Sequence, residues 1–204
     1  MTKQTILIRL IHYPLYSLGP GKRIGVWVQG CSIHCKDCIS THTWSFDQQY
    51  EQKIDNTVEN LADVLKQGNI GMTVSGGEPF DQKESLKQLL KACRSKGFKD
   101  ILVYSGYNYE YLQANYSDVF PFIDVLIDGN FQSGNRSGYI WKGSDNQRLM
   151  ILSKDIHIIS KYEKYKEFHD VNTSRSIELF TMHSSIFVVG IPKQEDVEVL
   201  NETL

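Results

Sequence analysis

The sequence predicts an α/β fold: parallel strands curled by right-handed crossovers into an open or closed β/α barrel, followed by a C-terminal β-hairpin. Three observations lead there. Short β-branched runs alternate with amphipathic helical stretches, the order that builds a parallel sheet. A cysteine-rich and a glycine-rich segment each follow directly on such a run, at the strand ends where sheets and barrels of this kind bind ligands. Near the C-terminus, two further runs stand back to back around a short break.

In chain order, Ile24 to Gln29 (Ile-Gly-Val-Trp-Val-Gln) is read as the first buried strand, ending at Gly30. Asn56 or Thr57 is placed to cap a helix with Val58, Leu61, Ala62 and Leu65 on one face, ending near Gly68. Ile70 to Ser75 forms the next strand, stopped by Gly76-Gly77. Asp81 then opens a helix that turns Leu86, Leu89, Leu90 and Cys93 inward and closes at Gly97. Ile101 to Tyr104 is a strand, Tyr109 to Ala114 a short helix, and Phe122 to Ile127 a strand running into Asp128-Gly129. Ile177 to Thr181 and Ser185 to Val189 flank Met182-His183-Ser184 as a terminal hairpin before Gly190-Ile191-Pro192. Within residues 154 to 175, whose pattern defines no element clearly, Lys161 to Lys166 is read as a solvated helix face.

Composition narrows the function. The 204 residues carry 22 Lys plus Arg against 24 Asp plus Glu, a formal charge of −2, with 41% hydrophobic residues. This is the profile of one globular domain, residues 1–204, able to bury roughly 70% of its unfolded surface without disulfide staples. No Lys/Arg block exceeds a pair, so no footprint for nucleic acid or an anionic membrane is expected. Arg9 interrupts Ile6-Leu7-Ile8 and no window reaches 18 apolar residues, which argues against a secretory leader and a membrane span. A cytoplasmic setting is expected, in which Cys31, Cys35, Cys38 and Cys93 stay reduced.

Cys31-Ser-Ile-His-Cys35-Lys-Asp-Cys38 places three thiols within eight residues, close enough for one loop to wrap a metal centre. A cubane iron–sulfur cluster is normally held by four thiolates, so a loop that supplies three leaves one iron open for a non-protein ligand. Two plainer readings stand beside it: zinc held by the three cysteines and His42, or reduced thiols without a metal. Cys93, on the inner face of a leucine-bearing helix, is read as core, and His34 as loop packing rather than a ligand. Ser75-Gly76-Gly77-Glu78-Pro79 follows the next strand, where glycines let the backbone approach a ligand, although a Gly-Gly turn can equally be a tight connection. A structural zinc loop leaves that turn unexplained.

The C-x3-C-x2-C spacing on a post-strand loop is similar to that of the radical S-adenosylmethionine (SAM) enzymes, and the glycine turn resembles their GGE motif. Further segments resemble one family of that group, the anaerobic ribonucleoside-triphosphate reductase activating proteins. These are Gly19-Pro20-Gly21-Lys22-Arg23, Trp44, Tyr104-Ser105-Gly106-Tyr107, Asp124 to Gly129, Gly143 to Arg148 and Gly190-Ile191-Pro192. The match spans about residues 19 to 152, which leaves about 153 to 204 as a C-terminal extension with its hairpin. The resemblance implies a partial, open barrel of radical SAM type and a glycyl-radical activase that cleaves SAM at a [4Fe-4S] cluster. A radical SAM enzyme acting on another peptide or a small molecule is the alternative. By that resemblance Cys31, Cys35 and Cys38 hold the cluster, Ser75, Gly76, Gly77 and Glu78 form the methionine-binding turn, and Asp37 neighbours the adenine. The implied partners are the anaerobic reductase and a reduced flavodoxin or ferredoxin-like electron donor.

The sequence departs from the family pattern at Asp37, where Gly or an aromatic residue is common, and at Ser40, where Asn is common. The segment from about residue 155 to 176 is longer than in short members. Asn146-Gln147-Arg148 is read either as a contact to SAM or the partner, or as a solvated turn. Asp128-Gly129 is read as a ribose site or a turn, and Trp44 and Phe46 as a cover for the cluster or as packing.

Overall fold

A computed structural model describes residues 4–134, 138–166, 177–182 and 185–192. Seven strands form one sheet in the order β3-β1-β2-β4-β5-β6-β7, and two more form a separate hairpin. At its centre β2 (Arg23–Val28), β4 (Gly71–Gly76), β5 (Ile101–Tyr104) and β6 (Val125–Asp128) run parallel. Helix α1 (Ile54–Leu65) links β2 to β4, α2 (Lys83–Ser95) links β4 to β5, and α3 (Tyr109–Tyr116) links β5 to β6, as the alternating pattern predicts. Antiparallel strands flank this centre: β1 (Thr5–Leu15) and β3 (Glu51–Lys53) on one side, β7 (Arg148–Ile151) on the other.

Strand β1 corrects the reading of Ile24 to Gln29 as the first strand. Its eleven residues are broken by Arg9 and His12, which sit partly buried and disguise the apolar run, and two irregularities shift its register against β2. The cysteine loop therefore follows the second strand. Helix α1 starts at Ile54 rather than after an Asn56 or Thr57 cap, because β3 hands straight into it. Thr57 instead lies inside, its hydroxyl donating to the Lys53 carbonyl (3.1 Å). The strand expected from Phe122 begins only at Val125, since the Phe120–Phe122 segment with its internal Pro121 closes a 3₁₀ turn first.

Alternation along the parallel strands decides what each face meets. Ile24, Val26, Val28, Met72, Val74, Ile101 and Val103 pack with Leu61, Leu86, Leu89, Leu90 and Cys93 of α1 and α2. The opposite face carries Leu102, Val125 and Ile127 against Trp141, Ile158 and Tyr162, and Trp27 against Leu15, Leu18 and Val189. Helices thus cover one face. The other is left to loops, to α4 (Ile156–Glu163) and to the hairpin of β8 (Ile177–Met182) and β9 (Ser185–Gly190), which forms where the sequence places it. Positions 183 and 184 of its turn, and 167–176 of the preceding segment, lie outside the described residues.

Two polar fastenings hold the late elements. Glu178 of β8 accepts the Tyr16 and Ser17 amides (2.9 and 2.7 Å), and Phe180 stacks on His12 at 3.8 Å. At the amino ends of the parallel strands, wholly buried Arg23 donates to both oxygens of Asp100 (3.1 Å each), to Met72 O and to Thr73 Oγ1, and Tyr162 of α4 donates to Asp100 (2.7 Å). Tyr162 is fully buried, so the reading of Lys161 to Lys166 as a solvated face is wrong for its second residue. Lys161 bends back to Asp100 as well. A run of Lys, Tyr and Glu hides a phenol whose hydroxyl satisfies a buried ion pair.

Candidate functional site

The loop after β2 is shaped by its backbone. Gly30 and Cys31 donate their amides to Thr43 O (2.7 Å) and Trp44 O (2.9 Å), closing residues 31–43 into a loop. The Gln29 side chain, fully buried, donates to Ser45 O (2.8 Å) from beneath. Inside the loop His34 and Asp37 take left-handed backbone conformations (φ 51° and 58°), which fold it tightly enough to turn three thiols to one side. Left-handed backbone costs a non-glycine residue about 1–2 kcal/mol, least for Asp and Asn. A glycine at position 37 would take up this conformation without that cost.

The turn after β4 abuts the root of that loop. Gly77 N donates to Val28 O (2.9 Å) and Glu78 N to Gly30 O (2.8 Å). A Cβ on Gly77 would stand 2.0 Å from Gly30 O, and one on Gly76 (φ +106°) 2.5 Å from the Val28 backbone, so this approach requires glycine at both positions. The Glu78 side chain points into protein: its carboxylate accepts Phe80 N (3.0 Å), Ser105 Oγ (2.9 Å) and Gly106 N (2.7 Å), tying the turn to the loop after β5. Burial outweighs these donors and pushes its pKa up to about 7.

Cys31, Cys35, Cys38, Ser75, Gly76, Gly77 and Glu78 line a single cavity of about 150 Å³, at the carboxyl ends of the parallel strands. The structure thus brings seven of the eight sequence-predicted site residues together; the eighth, Asp37, is exposed on the loop beside them. Burial raises the Cys31 and Cys35 thiols, countered by backbone amides at Ile33 and His34 for Cys31 and near Phe131 for Cys35. An adjoining cavity of the same size shares Cys38, Ser75, Tyr104, Phe131 and Gln147 and continues under β9 to Gly190, Ile191 and Pro192.

His42 lines a different, neighbouring cavity, and among the described residues no group of three or more His, Cys, Asp or Glu side chains is placed to hold a single metal ion. His42 and the three cysteines are thus not brought together in one cavity. His34 stacks on Trp44 at 4.5 Å, as loop packing predicts, and Trp44 lines the cysteine cavity with its buried indole N–H lacking an acceptor among the described residues. Phe46 occupies the space above Gly30 and is half exposed. Cys93 is core, its thiol pushed up to about 12 by burial.

Other candidates are tied up. Asp128 is fully buried and accepts the Tyr109 amide and the Arg148 guanidinium, which leaves nothing for a ribose. Arg148 also chelates Glu110 (3.0 and 2.8 Å), and Asn146 donates to Asn130 O. Gln147 accepts Gly143 N and donates to Gly129 O while lining both cavities. Asn146 and Gln147 are stitched into the rim, while Arg148 is hydrogen-bonded yet exposed. Sequence reasoning missed Asp81, whose carboxylate reaches the cysteine loop, because its position after Pro79 reads as a helix start.

Comparison with known proteins agrees with this geometry. Residues 17–150 match the 4Fe-4S single cluster domain family. An anaerobic ribonucleoside-triphosphate reductase-activating protein of Haemophilus influenzae is 34% identical over 149 residues, covering 68% of this chain and 94% of its own. The chain belongs to the anaerobic ribonucleoside-triphosphate reductase-activating protein family. Members from phage T4 (33% over 135 residues, 64% of this chain and 85% of theirs) and Escherichia coli K12 (31% over 143 residues, 67% and 93%) align at similar levels. The family carries a 4Fe-4S domain, and the donor set fits it: three thiols around one cavity, with a spare buried N–H beside them. No described helix is long and apolar enough to cross a membrane.

Proposed function

We propose that this chain, as one domain over residues 1–204 with its sheet curled as a partial barrel of radical SAM type, binds SAM at a [4Fe-4S] cluster. Its substrate is a glycine of an anaerobic ribonucleoside-triphosphate reductase. One observation carries the reading: three cysteines and a glycine turn, from loops well separated in the chain, share one cavity. Cys31, Cys35 and Cys38 would hold the cluster. Bound there and reduced, such a cluster would supply the electron for reductive cleavage of the SAM sulfonium.

The chain's own residues position and enclose. The amides of Gly77 and Glu78 are spent on Val28 and Gly30, so carbonyl oxygens are what the Ser75–Glu78 turn offers the methionine amine. By the family resemblance, the backbone at Asp37, exposed on the loop beside the cavity, would border the adenine ring. The adjoining cavity under β9 leads from Cys38 outward, a path for an extended glycine-bearing segment. A reduced flavodoxin or ferredoxin-like protein in the cytoplasm supplies the electron. Anaerobically reconstituted protein, reduced with SAM and the reductase, should yield a glycyl-centred doublet in electron paramagnetic resonance (EPR); a colourless protein binding one zinc and no sulfide would end this reading.

A further inference from the structure

The carboxylate of Asp81 serves no helix cap. It leaves its own 3₁₀ turn, Pro79–Gln82, and crosses to the cysteine loop, where one oxygen accepts the Ser32 amide (2.6 Å) and the other the Ser32 hydroxyl (3.0 Å). Tyr107, from the loop after β5, donates its hydroxyl to the same carboxylate (2.8 Å) and lies 3.0 Å from Ser32 Oγ. Ser32 is the residue next to Cys31. One side chain therefore fastens the cysteine loop, the glycine turn and the β5 loop together. Tyr107 is braced from behind by Tyr111, with ring centroids 5.0 Å apart.

We propose that Asp81 is a positioning residue for the iron–sulfur cluster: it anchors Cys31 through Ser32, and its fixed negative charge keeps the cluster hard to reduce, with Tyr107 moderating that charge. This rests on the cluster assignment above. The physical ground is that charge and hydrogen bonding around the ligating sulfurs set cluster potential, so an added electron is disfavoured beside a carboxylate that is held by the neutral donors of Ser32 and Tyr107. A low potential is what reductive splitting of a sulfonium demands.

The test needs neither SAM nor reductase. Reconstituted wild type, Asp81→Asn, Asp81→Glu and Tyr107→Phe are compared by iron and sulfide content, by the rate of bleaching with an iron chelator, and by EPR-monitored redox titration. Asp81→Asn should bleach about tenfold faster and titrate at a more positive midpoint, and Asp81→Glu should move the midpoint back toward wild type. Tyr107→Phe leaves the carboxylate charged and less neutralised, so its midpoint should move the opposite way, to more negative values. A general loosening of the loop, admitting water, would move both Asn and Phe variants positive and overturn the proposal; so would an Asn midpoint equal to wild type. Should Asp81→Asn hold no cluster, the sign of the Tyr107→Phe shift decides alone. A wild-type protein that forms no cluster refutes the cluster assignment instead.

Discussion

Two kinds of cysteine separate at the level of single residues. Cys93 lies under the leucines of α2 with its thiol pushed up to about 12, inert as a ligand, whereas Cys35 borders a cavity between two loops. Cys35→Ala should abolish iron retention after reconstitution, and Cys93→Ala should keep the cluster while lowering unfolding free energy by about 1–3 kcal/mol in denaturant titration. The distinction was legible in sequence because three thiols share one loop and the fourth shares a helical repeat. The left-handed backbone at Asp37 was not, since the cost of φ +58° belongs to the folded loop alone. Asp37→Gly should retain iron at the wild-type level, and Asp37→Val, whose branched Cβ resists that conformation, should lose most of it in the same assay.

Loops and strands show where pattern reading stops. The parallel centre and its three helices followed from periodicity, because strands buried on both faces read as unbroken apolar runs. Strand β1 did not, because a sheet-flanking strand tolerates Arg9 and His12 half-buried. The junction between the β4 turn and the β5 loop depends on Glu78, whose buried carboxyl keeps its proton up to about pH 7 in the folded chain against an ordinary value of 4.5. An acid with a raised folded-state pKa binds protons more tightly folded than unfolded, so its contribution favours the fold at low pH and is lost as pH climbs between those values. The cluster-free protein should therefore lose stability between pH 5 and 7, by about 3 kcal/mol at most from this group. Glu78→Gln should flatten that part of the urea-midpoint profile, and an unchanged slope would show that the carboxylate is fully stabilised by its three donors.

Across the whole molecule, stability and chemistry sit at opposite ends of the same four strands. The carboxyl ends of β2 and β4 carry the cysteine loop and the glycine turn, while their amino ends close on Arg23, Asp100 and Tyr162. Residues 153 to 166, beyond the matched 17–150, reach this second centre and not the first, because α4 docks its Tyr162 against the Arg23–Asp100 pair. Removing that hydroxyl leaves a buried ion pair short of one donor, which costs about 1–3 kcal/mol. Tyr162→Phe should accordingly lower the thermal midpoint by several degrees, by roughly 2–4 °C per kcal/mol for a chain of this size. Cluster content, its EPR spectrum and the rate of SAM cleavage at a permissive temperature should stay as in wild type. A Tyr162→Phe protein with an altered cluster spectrum would show that the two ends communicate through the strands, and that the late helix does more than brace the sheet.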